Sequence, residues 1–425
     1  MARYWRRSRD YHKRIKRLAS NRLHNVKGQT MRTLASNVYY VGVQDWDRRL
    51  FDELIPLPDG TSYNAYLIKG SEKTALLDTA DPPKIHELIN QLIAAGVDKL
   101  DYIISHHAEQ DHSGGIPDVL LMYPDAKVVT NAKCKAMLLD LLDLDAEQFI
   151  EITDGQTLSL GDKTLQFVFT PWVHWPETMS TYLKEDKILF SCDFFGSHQA
   201  TSSLFVENEA HVLEAARRYY AEIMMPFRSA IVGNLKKLEP FDIAMIAPSH
   251  GPIYPRPALI IDAYKDWVSD RVENKVVVAY VSMHDSTRRM VEYFVDSLIE
   301  KGVGVRQFNL TGVDIGHLAM ELVDAATVIL AAPTVLVGPH PTAAYAAVLV
   351  NALKPKTKFA GIIGSFGWGS KMVETLTGLM GNLKAEILEP VMIKGQPKPE
   401  DFEKLEMLAE KIQAKHEELG ILKNC

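Results

Sequence analysis

Residues 105–115 read Ser-His-His-Ala-Glu-Gln-Asp-His-Ser-Gly-Gly. Five of these side chains are metal-ligand types crowded into one short stretch, and four of them, His107, Glu109, Asp111 and His112, are the plausible ligands, with His106 their neighbour. Imidazole mixed with carboxylate suits iron, manganese or zinc, and no thiolate is needed. A polar surface turn is the ordinary explanation of such a cluster, but its setting argues against that. The apolar run 100–104 before it reads as a buried strand, and 116–122 after it reads as the start of a helix. The polar side chains therefore leave a strand end together, on a loop held by rigid elements. Three further residues repeat the arrangement: His174 within Thr-Pro-Trp-Val-His-Trp-Pro, Asp193 closing Ile-Leu-Phe-Ser-Cys-Asp, and His250 within Ile-Ala-Pro-Ser-His-Gly. Each alone is weak. Four strand-end motifs in one chain are a joint signal, because strand ends on one edge of a sandwich converge in space.

The elements that must position these residues can be read from periodicity. Alternating, β-branched stretches at 36–43, 62–68 and 73–78 predict strands. Residues 84–95 have helical spacing. Helices at 116–123 and 132–143 flank a strand at 127–129. Strands recur at 164–170, 179–184, 187–191 and 242–247, with helices at 209–224, 228–238 and 257–273. Beyond residue 274 the pattern changes. Five apolar strands at 275–282, 303–310, 326–333, 357–364 and 384–390 alternate with helices at 287–300, 314–324, 342–353, 370–381 and 399–419. Regular β-α alternation predicts a parallel sheet covered on both faces. The division expected is a basic extension over 1–30, one domain over 31–273 and a second over 274–425.

The second half carries its own constellation. Its first strand runs into Ser282, Met283, His284, Asp285, Ser286 and Thr287, then a helix. Hydroxyls and backbone N–H groups at a helix N-terminus make a phosphate cradle. No Gly-x-Gly-x-x-Gly is present, so a dinucleotide fold is not indicated. The third strand leads into Pro333, Thr334, Val335 and Gly338, and the fourth into Ser365, Phe366, Gly367, Trp368 and Gly369. Both loops leave carboxyl ends of strands, where open α/β sheets bind ligands.

Composition narrows the class further. A chain of 425 residues with 47% hydrophobic and 24% charged residues is ordinary for a globular protein of two or three domains. Its three cysteines, Cys134, Cys192 and Cys425, form no Cys-x-x-Cys pair, which excludes disulfide scaffolds and thiolate metal knuckles. A reducing, cytoplasmic setting is expected. No apolar run approaches the ~20 residues of a membrane span. Residues 1–30 hold ten Lys/Arg against a single acid, Asp10, so beneath the whole chain's net charge of -7 the remainder, with 37 basic and 53 acidic residues, carries -16. This arm has no apolar core of a secretory signal. It resembles an organelle transit peptide or a nucleic-acid or lipid-binding tail; the plainer readings are a disordered tail, or a start at Met31.

The four-motif order resembles the metallo-β-lactamase superfamily, whose two-metal site commonly shows His-x-His-x-Asp-His. Here the second position is Glu109. An anionic oxygen in place of imidazole makes the site harder and favours iron. His-x-Glu-x-Asp-His, followed by His174, Asp193 and His250, resembles the flavodiiron proteins over about residues 32–395. The resemblance implies an αββα metallo-β-lactamase-like sandwich followed by a flavodoxin-like, doubly wound parallel sheet of order 2-1-3-4-5. It implies one iron held by His107, Glu109 and His174, a second by Asp111, His112 and His250, and Asp193 bridging them. It further implies FMN on the second-half loops and a head-to-tail homodimer or dimer of dimers. The activity implied is reduction of dioxygen to water, nitric oxide to nitrous oxide, or both. With no rubredoxin or flavin-reductase module in the sequence, a separate electron donor is expected, such as rubredoxin or a reduced deazaflavin. No nucleic-acid partner is expected for this activity. The rival reading is a di-zinc hydrolase of the same fold joined to a flavodoxin domain. Since the arm carries none of these residues, a chain begun at Met31 should keep its metal, flavin and turnover, measured side by side with the full chain.

Overall fold

The computed structural model describes residues 32–422; the basic arm lies outside them. The chain divides into two compact units. The first takes the described residues up to Phe51, then Leu57–Ala216 and Ser229–Tyr264; the second takes Asp52–Pro56, Arg217–Arg228 and the chain from Lys265.

In the first unit two sheets face each other. One has seven strands in the order Arg32–Ala35, Val38–Tyr40, Tyr66–Lys69, Thr74–Leu77, Tyr102–Ile104, Lys127–Asn131, Phe149–Ile152. The other has five, Thr157–Ser159, Thr164–Phe169, Met179–Leu183, Ile188–Cys192 and Met245–Pro248. Strand side chains alternate between faces. Ala75, Leu77, Ile104 and Val129 therefore join Phe167, Leu183 and Phe190 in the core between the sheets. Their neighbours Leu76, Ile103 and Val128 face outward, against residues of the helices Ile85–Ala94, Ile116–Met122 and Ala132–Leu141.

The stretch 62–68 does not form one strand. Thr61–Tyr63 pairs with Val43–Asp45 in a small ribbon, and Tyr66–Lys69 joins the main sheet. The break lies at Asn64, whose amide donates to the carbonyls of Pro248 and Gly251, both at 2.8 Å. Gly42 allows the crossing, since a Cβ there would lie 2.5 Å from the Tyr63 carbonyl oxygen.

The second unit is built on a parallel sheet in the order Gly304–Asn309, Glu273–Tyr280, Ala325–Val335, Phe359–Phe366, Glu386–Ile387, which is 2-1-3-4-5. Val277 and Ala279 face a core shared with helices Ile315–Leu322, Pro341–Leu353 and Met372–Leu379. Val276 and Val278 face helices Ser286–Glu300 and Pro399–Glu418. The fifth strand, expected over 384–390, is split. Glu386–Ile387 and Val391–Lys394 each pair with Phe359–Phe366, with Pro390 between them. Proline has no N–H to give to a ladder, so pairing stops there.

The helix expected over 209–224 is α-helical only to Tyr219 and continues as a π turn, Tyr220–Met224. Around this turn Arg217 reaches Asp324 at 2.7 Å, and Arg218 grips Asp314 through both terminal nitrogens at 2.9 and 2.7 Å. Glu222 lies against Gly316, where any Cβ would collide with its carboxylate, and its Oε2 is buried without a hydrogen bond. Burial, with the Asp314 charge added, outweighs Arg218 and pushes the Glu222 carboxyl up to about 8. A raised acid keeps its proton in the folded chain after the unfolded chain has lost it. The stability it contributes is full below about 4.5 and fades as pH rises to about 8. Glu222→Gln should remove this slope, by up to a few kcal/mol at the alkaline end; thermal melts of both proteins across that range test it.

Candidate metal centre

Each of the four motifs ends a strand of the sandwich. His107 follows Tyr102–Ile104, and the short helix Gln110–Ser113 presents Asp111 and His112. His174 lies in the connection from Thr164–Phe169 to Met179–Leu183, Asp193 follows Ile188–Cys192, and His250 follows Met245–Pro248. Left-handed backbone accompanies these ends. Asp78, Trp172 and Cys192 have φ of 54°, 64° and 56°, and Gly251 has 81°. For residues with a Cβ this conformation is strained and persists only when the surroundings over-determine it. The pairing of Ile188–Cys192 with Met245–Pro248 also shifts register between Phe190 and Cys192. Such an irregularity re-aims a side chain, here the one that follows, Asp193.

The seven side chains come together as two groups. In one, Glu109 Oε2 lies 3.0 Å from His107 Nε2 and 3.1 Å from His174 Nε2. Asp193 Oδ2 lies 3.5 and 3.6 Å from the same two nitrogens. In the other, Asp111 Oδ2 lies 3.2 Å from His250 Nε2, and Asp111 Oδ1 3.4 Å from His112 Nε2. Asp193 Oδ1 completes it, 3.0 Å from His112 Nε2 and 3.3 Å from His250 Nε2. One carboxylate thus offers one oxygen to each group.

The chemistry of this set calls for cations. Both oxygens of Asp111, both of Asp193 and Nε2 of His112 are buried without a hydrogen bond. Unpaired buried anions cost several kcal/mol each, and nitrogen and oxygen donors spaced for a metal offset that cost when they bind one. The proton affinities carry the same mark. Burial alone would lower the imidazoles, yet the facing carboxylates hold His107 well above its usual range and push His250 up to about 10. Burial would raise Asp193, yet His112 and His250 hold it well below the usual carboxylate range. A donor set with this appetite for positive charge, free of thiolate, fits a pair of iron ions.

Other residues hold these donors. His107 Nδ1 bonds Glu177 Oε1 at 2.8 Å, and His250 Nδ1 donates to the Ser62 carbonyl at 2.6 Å. His106 uses both ring nitrogens away from the metal positions, on Asp78 Oδ2 and Thr181 Oγ1, each at 2.7 Å. Asp78 Oδ1 also accepts the His106 N–H at 3.0 Å, so the pair clamps the strand end from below. His198, bonded to Thr61 Oγ1 at 2.9 Å, packs its ring 4.9 Å from that of His250. Glu177 and His198 were not singled out by the sequence. The only hint for Glu177 is an acid three places after His174.

In the second unit, the cradle hydroxyls also meet. Ser286 Oγ and Thr287 Oγ1 lie 3.1 and 3.3 Å from Ser365 Oγ, and Ser282 Oγ accepts the N–H of Arg288 at 3.2 Å. They gather at the N-terminus of Ser286–Glu300, where free N–H groups suit a phosphate. Asp285 turns away to Arg288 at 3.1 Å, which meets its charge. Met283 and Trp368 stand exposed, and Cβ atoms added at Gly367 or Gly369 would meet nothing, so the loop leaves room beside the chain. Pro333, Thr334 and Val335 lead into a hairpin whose strands pair Thr334 with Pro339 and Val335 with Gly338. Its two central residues, Leu336 and Val337, have φ of 49° and 72°. Asn and Gly are the usual occupants of such a turn; Leu336 is instead 89% exposed there.

An αββα sandwich carrying a two-metal donor set, in one chain with a flavodoxin-like 2-1-3-4-5 sheet, defines a metallo-β-lactamase-like flavoprotein architecture. Residues 61–251 match the family described as ODP family beta lactamase. A nitric oxide reductase of Moorella thermoacetica is 34% identical over 90% of this chain and 98% of its own length. A rubredoxin-oxygen oxidoreductase of Megalodesulfovibrio gigas is 32% identical over 88% of this chain and 95% of its own. The crystal structure of the flavodiiron protein from Giardia intestinalis superposes with a TM-score of 0.86 at 29% identity, covering 92% of this chain and 97% of the other. The chain belongs to the flavodiiron protein family, the type A flavoproteins. Asp193→Ala should empty both metal positions while the protein stays yellow, since the cradle lies in the other unit; iron analysis beside the flavin spectrum checks it.

Proposed function

We propose that this chain is an oxidoreductase that reduces dioxygen to water, nitric oxide to nitrous oxide, or both, at a di-iron site supplied by FMN. The observation that carries the reading is the pair of nitrogen-and-oxygen donor groups sharing the buried carboxylate of Asp193. The domain over 31–273 holds the irons and that over 274–425 the flavin. His107, Glu109 and His174 hold one iron; Asp111, His112 and His250 hold the other; Asp193 bridges them. When bound, two ferrous ions and reduced FMN supply four electrons, enough for dioxygen, and the iron pair alone supplies the two that two nitric oxide molecules need.

The protein's own work is to bind, orient and exclude water. Glu109, Asp111 and Asp193 together nearly neutralise two divalent cations, which makes a buried pair tolerable. His107, His112, Asp111, Asp193 and His250 are sealed from solvent, whereas Glu109 and His174 side chains keep 12% and 15% of their surface. The Glu109–His174 side is therefore the one open to a small apolar gas. Ser282, Ser286, Thr287 and Ser365 take the FMN phosphate, and Phe366 or Trp368 flanks the isoalloxazine. Among the described residues no helix is long and apolar enough to cross a membrane.

The working unit is a head-to-tail homodimer, in which the FMN of one protomer serves the irons of its partner. Electrons come from a separate donor such as rubredoxin or a reduced deazaflavin. The Megalodesulfovibrio relative, named for rubredoxin, supports a donor of the first kind. Glu109 in place of histidine weighs against the di-zinc hydrolase. Protein purified from its native host should carry two irons and one FMN per chain. Reduced anaerobically and exposed in parallel to dioxygen and nitric oxide, it should consume at least one of them. Two zincs without iron, and no turnover of either gas, would return the reading to hydrolysis.

A further inference from the structure

Glu177 is not one of the seven donors, yet it is fixed against one of them. Its side chain is fully buried. Its Oε1 meets His107 Nδ1 at 2.8 Å and accepts the backbone N–H of Ala108 at 3.0 Å. Its backbone is held as well: Asn131 Nδ2 donates to the Glu177 carbonyl at 2.7 Å, while Asn131 Oδ1 caps the helix Ala132–Leu141 through the N–H of Cys134 at 2.9 Å. The carboxylate is thus anchored to a strand end and a helix start, with no freedom to leave His107.

In the second donor group the carboxylate of Asp78, outside the seven donors, comes within 4.8 Å of His112, but its oxygens are taken by His106 and Ser249. His250 Nδ1 donates to a neutral acceptor, the Ser62 carbonyl. Each group otherwise draws on one carboxylate of its own, Glu109 or Asp111, and on one oxygen of Asp193. The ligand lists are therefore nearly balanced, and the partners behind the imidazoles are not. A carboxylate behind a ligating imidazole pulls on the Nδ1 proton and makes Nε2 a stronger donor than a carbonyl does.

We infer that Glu177 is a positioning residue that makes the His107–Glu109–His174 position the more electron-rich of the two. It fixes the His107 tautomer with Nε2 facing the metal, strengthens that nitrogen as a donor, and so biases which iron loses its electron first. In that step one ferrous ion becomes ferric and a single electron passes to the acceptor, the bound gas in turnover or an added oxidant in a titration. The second iron is oxidised afterwards. The inference rests on the di-iron reading above.

The test uses the full chain loaded with iron and compares wild type with Glu177→Gln and Glu177→Asp. Glutamine keeps the shape and can still accept from His107, but removes the charge. Aspartate keeps the charge but its shorter arm cannot hold both contacts. Redox titration followed by electron paramagnetic resonance reads the midpoint of the first one-electron oxidation. Competition with a chelator reads iron affinity. Glu177→Gln should bind one of its two irons about 10- to 100-fold more weakly and shift the first midpoint upward, with Glu177→Asp lying between it and wild type. Should glutamine fail to fold, aspartate carries the test, and its midpoint must still lie above wild type. A folded variant with wild-type midpoint and wild-type iron affinity overturns the inference and leaves Glu177 as a prop for its own turn. Wild-type protein that takes up no iron would instead sink the di-iron reading.

Discussion

The carboxylate of Asp193 is the constraint on which the first unit depends. It is completely buried, and neither oxygen is hydrogen-bonded. Beside it Asp111 is in the same position. Carboxylates buried in this way call for positive charge beside them, because desolvating a lone carboxylate costs several kcal/mol. The strained strand ends, the irregular pairing before Asp193 and the ring of buried imidazoles become intelligible together. They bring donors from four separate strand ends to within one or two metal–ligand distances of each other.

Around the donors lies a second layer that decides how they point. The Asp78–His106–Thr181 chain locks the strand end below the motif, Ser62 orients His250, and Glu177 orients His107. Imidazole has two nitrogens, and only a partner on one of them fixes which faces the metal. The partners of His107 and His250 differ in charge, a carboxylate against a neutral carbonyl.

The second unit solves a different problem with the same device. A parallel sheet sends its loops out at one edge, and the hydroxyls of two of them close over the N-terminus of the helix Ser286–Glu300. Here the buried polar groups are uncharged hydroxyls that meet one another, so the chain buries no charge of its own there. The hairpin tip keeps two apolar residues, Leu336 and Val337, in a backbone conformation that suits Asn or Gly.

Much of this was legible in the chain itself. The donor types and their strand-end positions are local properties, and so is the period-two alternation that separates Ala75 and Leu77 from Leu76. The order of the parallel sheet follows from regular β-α alternation together with the family resemblance. What periodicity missed was decided at a distance or by exceptions to it. The short strands Phe149–Ile152 and Thr157–Ser159 exist because a neighbour pairs with them. The break at Asn64 depends on carbonyls some 180 residues away, and the π turn at Tyr220–Met224 sits among contacts to residues near 314–324. Glu177 is the clearest case. In the sequence it is an acid in a turn, and only folding puts it 2.8 Å from a histidine 70 residues earlier. Residue type and spacing determine which groups are able to bind a metal. Which nitrogen of each imidazole faces it, and what stands behind the other, is fixed by tertiary contacts, because a hydrogen bond is specified by position in space and not by position in the chain.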